Sequence, residues 1–174
     1  MKKYQIFIAS IFIILLSSCT SQTYLLPQEL QSVLEKKEYT FMATRAIPSS
    51  GDAARLLSGT HSTAAGRILE LDYGYTLEIK ESTLTVTLPY FGRAYTGSLD
   101  PEKQSHRFTS KNFSYVQTKG RKNTTVITMR PNDVQHIQHI VMEVYPNAKA
   151  YLTIQASDRQ LISYDGYLKE NQEK

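Results

Sequence analysis

The sequence predicts a mainly β protein, built as an antiparallel sandwich or a barrel-like meander, with one short N-terminal helix packed on it. Short runs of β-branched and aromatic residues fill the second half of the chain, separated by turn residues at intervals of about 8–12 residues. Tyrosine is abundant and tryptophan is absent, and no segment repeats at a fixed period. One segment places apolar residues at helical spacing. Together these features favour a compact, β-rich domain.

The helix is predicted over residues 27–38. Leu30, Val33 and Leu34 form an apolar stripe at helical spacing. A proline and an acidic residue suit the start of this segment, and two lysines suit its end. We expect the helix to lie across one end of a sheet.

The first strand is predicted over residues 39–47, ended by Pro48, with Phe41 and Ala43 facing the core. Further strands are predicted at residues 75–80, 84–88, 107–109, 113–118, 124–130, 137–145, 150–156 and 161–168. In the last two strands the inward faces are Ala150, Leu152, Ile154 and Ala156, and Ile162, Tyr164 and Leu168. Residues 49–66 are rich in Ser, Gly, Thr and Ala and predict a long loop.

The N-terminal segment has the three parts of an export signal. Two lysines near the start precede an apolar run over residues 4–16, which is shorter than the roughly 20 residues that a membrane-spanning helix needs. The run ends in Leu16-Ser17-Ser18-Cys19, which resembles the bacterial lipobox. That resemblance implies lipidation of Cys19 and cleavage before it. The alternative is an ordinary secretory signal in which Cys19, the only cysteine, has no role.

The chain is therefore divided into residues 1–18 as a lipoprotein signal peptide, 19–27 as a tether, 28–168 as a single β-rich domain and 169–174 as a charged tail. The tether contains no acidic residue. By resemblance to lipoprotein sorting signals, we expect anchoring at the periplasmic face of the bacterial outer membrane, with the membrane as a partner through lipidated Cys19.

The charge balance gives no reason to expect nucleic acid as a partner. Loss of residues 1–18 removes two of the 20 basic residues and none of the 16 acidic ones, so the remaining chain is close to neutral. The densest basic group, residues 119–122, falls where a hairpin tip is predicted, and there it is interpreted as a solvated turn.

Three stretches carry a family resemblance: residues 88–95 (Leu-Pro-Tyr-Phe-Gly-Arg-Ala-Tyr), 107–115 (Arg-Phe-Thr-Ser-Lys-Asn-Phe-Ser-Tyr) and 158–166 (Asp-Arg-Gln-Leu-Ile-Ser-Tyr-Asp-Gly). Together with residues 41–48 they resemble the bacterial domain-of-unknown-function family numbered 4251. Its members are similar in combining a lipoprotein signal, a short helix and a mostly β domain. The resemblance implies a fold and a location, and it implies no activity.

The first of these stretches places Tyr90, Phe91, Arg93 and Tyr95 around a sharp turn. In one interpretation they form an aromatic and cationic binding lip, in which the arginine holds an anion and the tyrosines stack on a sugar or a peptide. In the other they pack a corner of the fold, with Arg93 stacked on a tyrosine. The second interpretation is favoured, because aromatic rings at turns more often close a core than bind a ligand.

No catalytic constellation is present in the sequence. It contains no nucleophile elbow, phosphate-binding glycine loop or dinucleotide fingerprint, and its carboxylates are dispersed. His136 and His139 fall at the start of the strand predicted at residues 137–145, where their spacing puts them on opposite faces, so no metal site is expected. No cofactor is expected either.

The sequence thus predicts a lipid-anchored binding or interaction module at the outer membrane, with an envelope protein or a glycan as partner. Two alternatives stay open. One is an envelope enzyme acting on glycan or peptide, which a deep cleft with two carboxylates about 5–10 Å apart would favour. The other is a carrier of an apolar ligand inside a barrel, which a large apolar cavity would favour.

Overall fold

A computed structural model describes residues 22–49, 69–95 and 105–171. The predicted signal peptide, the lipidation site Cys19 and nearly all of the predicted loop at residues 49–66 lie outside the described residues. Within the described part of the chain, no helix is long and apolar enough to cross a membrane.

The described residues form one helix of ten residues and a nine-stranded sheet, which confirms the mainly β prediction. The elements are α1 (Pro27–Lys36), β1 (Tyr39–Pro48), β2 (Thr76–Lys80), β3 (Thr83–Pro89), β4 (Ser105–Ser110), β5 (Phe113–Lys119), β6 (Thr125–Pro131), β7 (Ile137–Val144), β8 (Lys149–Ala156) and β9 (Ile162–Glu170). A single 3₁₀ turn, Arg121–Asn123, forms the tip between β5 and β6. Each strand lies within two residues of its predicted bounds.

The strands form a nearly closed barrel rather than a sandwich. Their order in the sheet is β4-β3-β2-β1-β9-β8-β7-β6-β5, so the meander closes where the first strand pairs with the last. Every recorded pair is antiparallel, which requires β4 and β5, at the two edges, to run in the same direction. Only Lys111 and Asn112 separate these two strands. They are therefore two halves of one long bent strand, which pairs with β3 before the bend and with β6 after it.

Side chains close the gap that this bend leaves in the ladder. At the bend, Asp133 accepts hydrogen bonds from the Ser110 hydroxyl and from the backbone N–H groups of Lys111 (2.9 Å) and Asn112 (3.2 Å). The hydrogen bond from Ser110 is the largest cause that lowers the pKa of Asp133 below its usual value. Along β5, the Tyr115 hydroxyl lies 3.3 Å from that of Tyr39 on β1. These contacts hold the bend against the β6–β7 connection and hold β5 against β1.

The interior is one apolar cluster, and α1 packs over one end of it. All of the residues predicted to face inward from β8 and β9 are buried, as are Phe41 and Ala43. Leu30, Val33 and Leu34 of α1 belong to the same cluster. We call this end, formed by α1, the β7–β8 turn and the β5–β6 tip, the helix end. The opposite end, where β3 and β8 end and where β4 and β9 begin, is the loop end.

The predicted boundary at the start of the domain needs correction. Residues 19–27 were expected to form a tether, but the part described from Gln22 onward is seated on the barrel. The Tyr24 amide donates to the carbonyl of Asn147 at 3.1 Å, and the Tyr24 ring stacks on Tyr167 at 4.0 Å between centroids. This contact buries aromatic surface that a free tether would leave in water, which is the physical reason for the difference.

The predicted boundary at the end of the domain is also wrong by a few residues. The sequence predicts a charged tail from residue 169, but Lys169 and Glu170 complete β9 by pairing with Thr40 and Tyr39. Asn171 continues the order, because its side chain accepts from the Thr40 hydroxyl at 2.7 Å and donates to the carbonyl of Ile79 at 2.8 Å. Charged residues remain in the ladder here because their side chains reach solvent while their backbone is paired.

We predict that Gly166→Ala destabilises the barrel at its closing seam. A Cβ at Gly166 would lie 2.1 Å from the carbonyl oxygen of Met42 and 2.7 Å from the Phe41 ring, so β1 would have to move. We expect the free energy of unfolding in urea to fall by about 1–3 kcal/mol. Ser114→Ala, at an exposed position of β5, is the control and should change it by less than about 0.5 kcal/mol. Equal stability of both variants would mean that the seam is looser than described.

Candidate functional site

The three stretches that carry the family resemblance meet at the loop end, in a site that we call the motif corner (residues 88–95, 105–108 and 158–160). Ala94 forms an isolated antiparallel bridge with Arg159. On either side of it, the Tyr95 amide donates to the carbonyl of Asp158 (2.8 Å) and the Gln160 amide donates to that of Arg93 (3.1 Å). The segment after β3 is therefore held against the β8–β9 connection as a short extra ladder.

The Tyr90 side chain stabilises this turn by hydrogen bonding to its backbone. Its hydroxyl lies 3.0 Å from the carbonyl oxygen of Arg93 and 3.1 Å from that of Gln160, so one O–H can donate to either side of the ladder. Burial is the largest cause that raises the pKa of Tyr90. A second buried tyrosine, Tyr164 of β9, donates to the carbonyl of Pro89 at 2.7 Å. Both hydroxyls stay protonated at neutral pH and act as donors to backbone.

Arg159 is the buried cation of the motif corner, with 5% of its side chain exposed. Its guanidinium forms a bidentate pair with Asp158 (Nε–Oδ1 3.1 Å, Nη2–Oδ2 2.8 Å) and donates to the carbonyl of Ser105 at 3.2 Å. It also lies over the Tyr90 ring, 5.1 Å from the centroid. Hydrogen bonding from Arg159 is the largest cause that lowers the pKa of Asp158. The corner interpretation expected Arg93 on a tyrosine; the arginine found there is Arg159.

His106 is the residue of this site that sequence reasoning missed. It lies on β4 opposite Leu88, is 1% exposed, and meets Tyr90 edge-on at 5.4 Å. Neither ring nitrogen has a hydrogen-bond partner. Burial, and then the nearby Arg159 charge, lower its pKa to about 3, so the imidazole is neutral. A signal existed in the alternation of His106 with Phe108 and Ser110, but the strand was predicted to begin at residue 107, two residues too late.

The four predicted binding residues divide into two pairs. Tyr90 and Phe91 are partly buried and pack against the core. Arg93 and Tyr95 are exposed, Tyr95 to 64%. One pair therefore closes the corner, and the other pair is presented to solvent. His136 and His139 are both half-buried, and in the described ranges no group of three or more His, Cys, Asp or Glu residues could hold a metal ion.

A second concave surface lies on the outer wall of the barrel, beside the N-terminal segment. This cleft of about 460 Å³ is bordered by Tyr24, Tyr145 and Tyr151, with Lys149 and Asp165 among its polar residues. We call it the tyrosine cleft. Its position, on β8 and β9 next to Tyr24, separates it from the motif corner.

We predict that His106 makes the fold acid-sensitive. In the unfolded chain His106 takes up a proton near pH 6.5, and in the folded protein only near pH 3, so the unfolded state binds more protons between these values. Stability is therefore fully present above pH 6.5 and is lost as the pH falls toward 3. Between pH 7 and pH 4, the free energy of unfolding measured in urea should fall by about 3 kcal/mol less for His106→Phe than for wild type.

Two further variants complete this experiment. His106→Leu serves if the phenylalanine does not fit, and His139→Phe, at a half-buried histidine of β7, is the matched control that should keep the wild-type acid loss. The same acid loss in wild type and in both His106 variants would contradict the prediction.

Comparison with known proteins gives a family for this chain. No curated protein matches it. A family model described as "Domain of unknown function (DUF4251)" matches residues 23–168. The match takes in the Tyr24 segment, α1 and all nine strands nearly to the end of β9, and it includes every residue of the motif corner. The chain therefore belongs to the DUF4251 family.

Proposed function

We propose that this protein is a lipid-anchored binding module of the bacterial envelope, held at the periplasmic face of the outer membrane through Cys19, and that the motif corner captures an envelope protein or a glycan. The anchor part rests on the sequence, in which the apolar run ends in Leu16-Ser17-Ser18-Cys19. One acyl chain anchors only marginally and several anchor firmly, which a lipoprotein-type modification would provide.

The observation that supports the binding part is the contrast between a locked backbone and exposed side chains at the motif corner. The ladder and the Tyr90 hydroxyl fix the main chain of Arg93 and Tyr95. Their side chains nevertheless lie in solvent. Binding to a surface that is already ordered avoids the cost of ordering it, and arginine and tyrosine are among the residues that dominate binding energy in protein interfaces.

The chemistry of this pair limits the partner. Among the described residues Arg93 has no ion-pair partner, since the buried ion-pair role belongs to Arg159, and its guanidinium suits a carboxylate or phosphate. The Tyr95 ring offers a face that stacks on a sugar or a peptide group. An acidic glycan or an acidic loop of an envelope protein therefore fits this surface. Glycoside hydrolysis of the usual kind needs two carboxylates, whereas Asp158, the carboxylate described in the motif corner, is paired with Arg159.

The anchor is tested by intact mass and by cell fractionation. The mature protein should begin at Cys19 and carry acyl chains, and Cys19→Ser should move it from the membrane fraction to the soluble fraction. An unmodified Cys19, or a chain that still begins at Met1, would contradict this part of the proposal.

The binding surface is tested with Arg93→Ala and Tyr95→Ala. Both residues are exposed, so we expect unfolding free energies within about 0.5 kcal/mol of wild type. Co-sedimentation with purified cell-wall glycan, and cross-linking to envelope proteins quantified by mass spectrometry, should each be performed. For the true partner we expect capture to fall about tenfold or more.

Tyr151→Ala, in the tyrosine cleft, is the matched control and should leave capture unchanged. If instead Tyr151→Ala abolishes capture while the corner variants bind normally, the tyrosine cleft is the binding surface. If both corner variants unfold, the motif corner serves only the fold.

A further inference from the structure

The chain leaves the barrel at a fixed point on the helix end. The Tyr24 amide is bonded to Asn147 in the β7–β8 turn, and its ring is stacked in nearly parallel planes, 9° apart, on Tyr167. Two residues before Tyr24, the carbonyl of Gln22 accepts a hydrogen bond from the Asn147 side-chain amide at 3.4 Å. We call these contacts the clamp. They hold the chain on the wall of the barrel up to Gln22.

The distance from the clamp to the lipid is short. Gln22 lies three residues after Cys19, and three extended residues span about 10 Å. If Cys19 carries lipid, as the proposed function states, the β7–β8 turn cannot move farther than this from the headgroups. The helix end must then stay close to the bilayer, and the loop end, at the other end of the strands, points away from it.

The hairpin tip beside the clamp carries a concentrated positive charge. Lys119, Arg121 and Lys122 are all exposed there. The tip and the clamp border the same surface, because one cleft of about 650 Å³ is lined by Lys119 of the tip and by Pro146, the neighbour of Asn147. Basic residues held near an anionic membrane each contribute about a fivefold increase in affinity (about 1 kcal/mol).

The acidic groups nearest the tip keep their negative charges but are hydrogen-bonded to neutral groups of the protein rather than paired with the tip cations. The Glu143 carboxylate on β7 accepts from the buried Thr124 hydroxyl at 2.9 Å, directly under the tip. On α1, Glu29 accepts from the Leu26 amide at 3.0 Å, and Glu35 accepts from the Gln31 side chain at 3.0 Å. Glu143 and Glu35 do not form an ion pair with the tip lysines or arginine in the described structure, so these three cations are available to an external anion.

Exposed apolar groups accompany these cations. Leu26, next to the start of α1, is 62% exposed, and Tyr145, next to the β7–β8 turn, is 40% exposed. Tyrosine is typical of membrane interfaces, since it has an apolar body and a polar tip, and leucine beside it adds area that a headgroup region can cover.

We propose that the helix end docks on an anionic phospholipid surface, with the lipid on Cys19 and the basic tip as two separate points of contact. Two contacts fix the barrel upright, so that the motif corner is presented away from the membrane. The short reach after the clamp supplies the first contact, and charge complementarity at residues 119–122 supplies the second. In the absence of lipid on Cys19, the tip alone would give only weak, salt-sensitive binding.

The absence of tryptophan from the chain makes a clean reporter possible. Thr118→Trp places an indole beside the tip without removing a charge, and Tyr95→Trp places one at the loop end. The native lipoprotein is reconstituted into phosphatidylethanolamine vesicles with or without phosphatidylglycerol, each with a trace of dansyl-labelled lipid as energy acceptor. We expect strong energy transfer from Thr118→Trp and weak transfer from Tyr95→Trp.

Two changes test the two contacts separately. Inserting about ten Gly/Ser residues between Cys19 and Gln22 raises the extended reach of the free segment from about 10 Å to about 45 Å, and should reduce the difference between the reporters. Replacing Lys119, Arg121 and Lys122 by glutamine should lower transfer from Thr118→Trp in phosphatidylglycerol vesicles and leave it unchanged without that lipid. Equal transfer from both reporters, or stronger transfer from the loop end, would overturn the proposal.

The orientation of the barrel on the vesicle can be measured whether or not the proposed function holds. If intact mass shows an unmodified Cys19, the same reporters are coupled through its thiol to a maleimide lipid, and the orientation is measured on that product. A failed capture experiment with the Arg93 and Tyr95 variants likewise leaves the energy-transfer result unaffected, because neither contact with the bilayer involves the motif corner.

Discussion

The pairing of the first strand with the last is the constraint on which the whole structure depends. β1 and β9 pair from Tyr39 with Glu170 to Pro48 with Ile162, across a single bulge near Ala43. Since α1 ends shortly before β1, and the β8–β9 connection immediately precedes β9, this seam places the helix at one end of the barrel and Arg159 at the other. A slip of one residue would turn Phe41 and Ala43 from the core toward solvent. Gly166 fixes the register, because only a residue without a Cβ fits against Met42 and Phe41.

Much of the local structure follows from the sequence. Alternating apolar residues set the inward faces of β8 and β9. The predicted strands 75–80 and 84–88 leave room for only a tight turn, and Glu81 and Ser82 in it both adopt left-handed backbone (φ 50° and 61°). Such patterns act between neighbours in the chain. They cannot say which distant strands meet. The bent strand formed by β4 and β5 reads in the sequence as two ordinary strands, because its partners β3 and β6 are determined by closure of the barrel.

The candidate site was predicted in part, for the same reason. The turn around Tyr90 and Tyr95 was identified from its own residues, yet the cation that packs on Tyr90 comes from Arg159, far along the chain. The burial of His106 could not be predicted from its own segment, because it results from the pairing of β4 with β3. The stacking of Tyr24 on Tyr167 was not predicted, because the segment around Tyr24 has the composition of a tether. Its stacking partner belongs to the last strand, far along the chain.

These contacts give the barrel two chemically different ends, and the proposals depend on the clamp that ties one end to the chain leading to Cys19. The most direct test is amide hydrogen exchange at Tyr24, followed by NMR in the soluble mature chain with Cys19→Ser. The account predicts a protected Tyr24 amide, with through-space contacts between the Tyr24 and Tyr167 rings. Exchange of the Tyr24 amide at the rate of an unstructured peptide would contradict it, because the barrel would then be free to take any orientation beside the proposed anchor at Cys19.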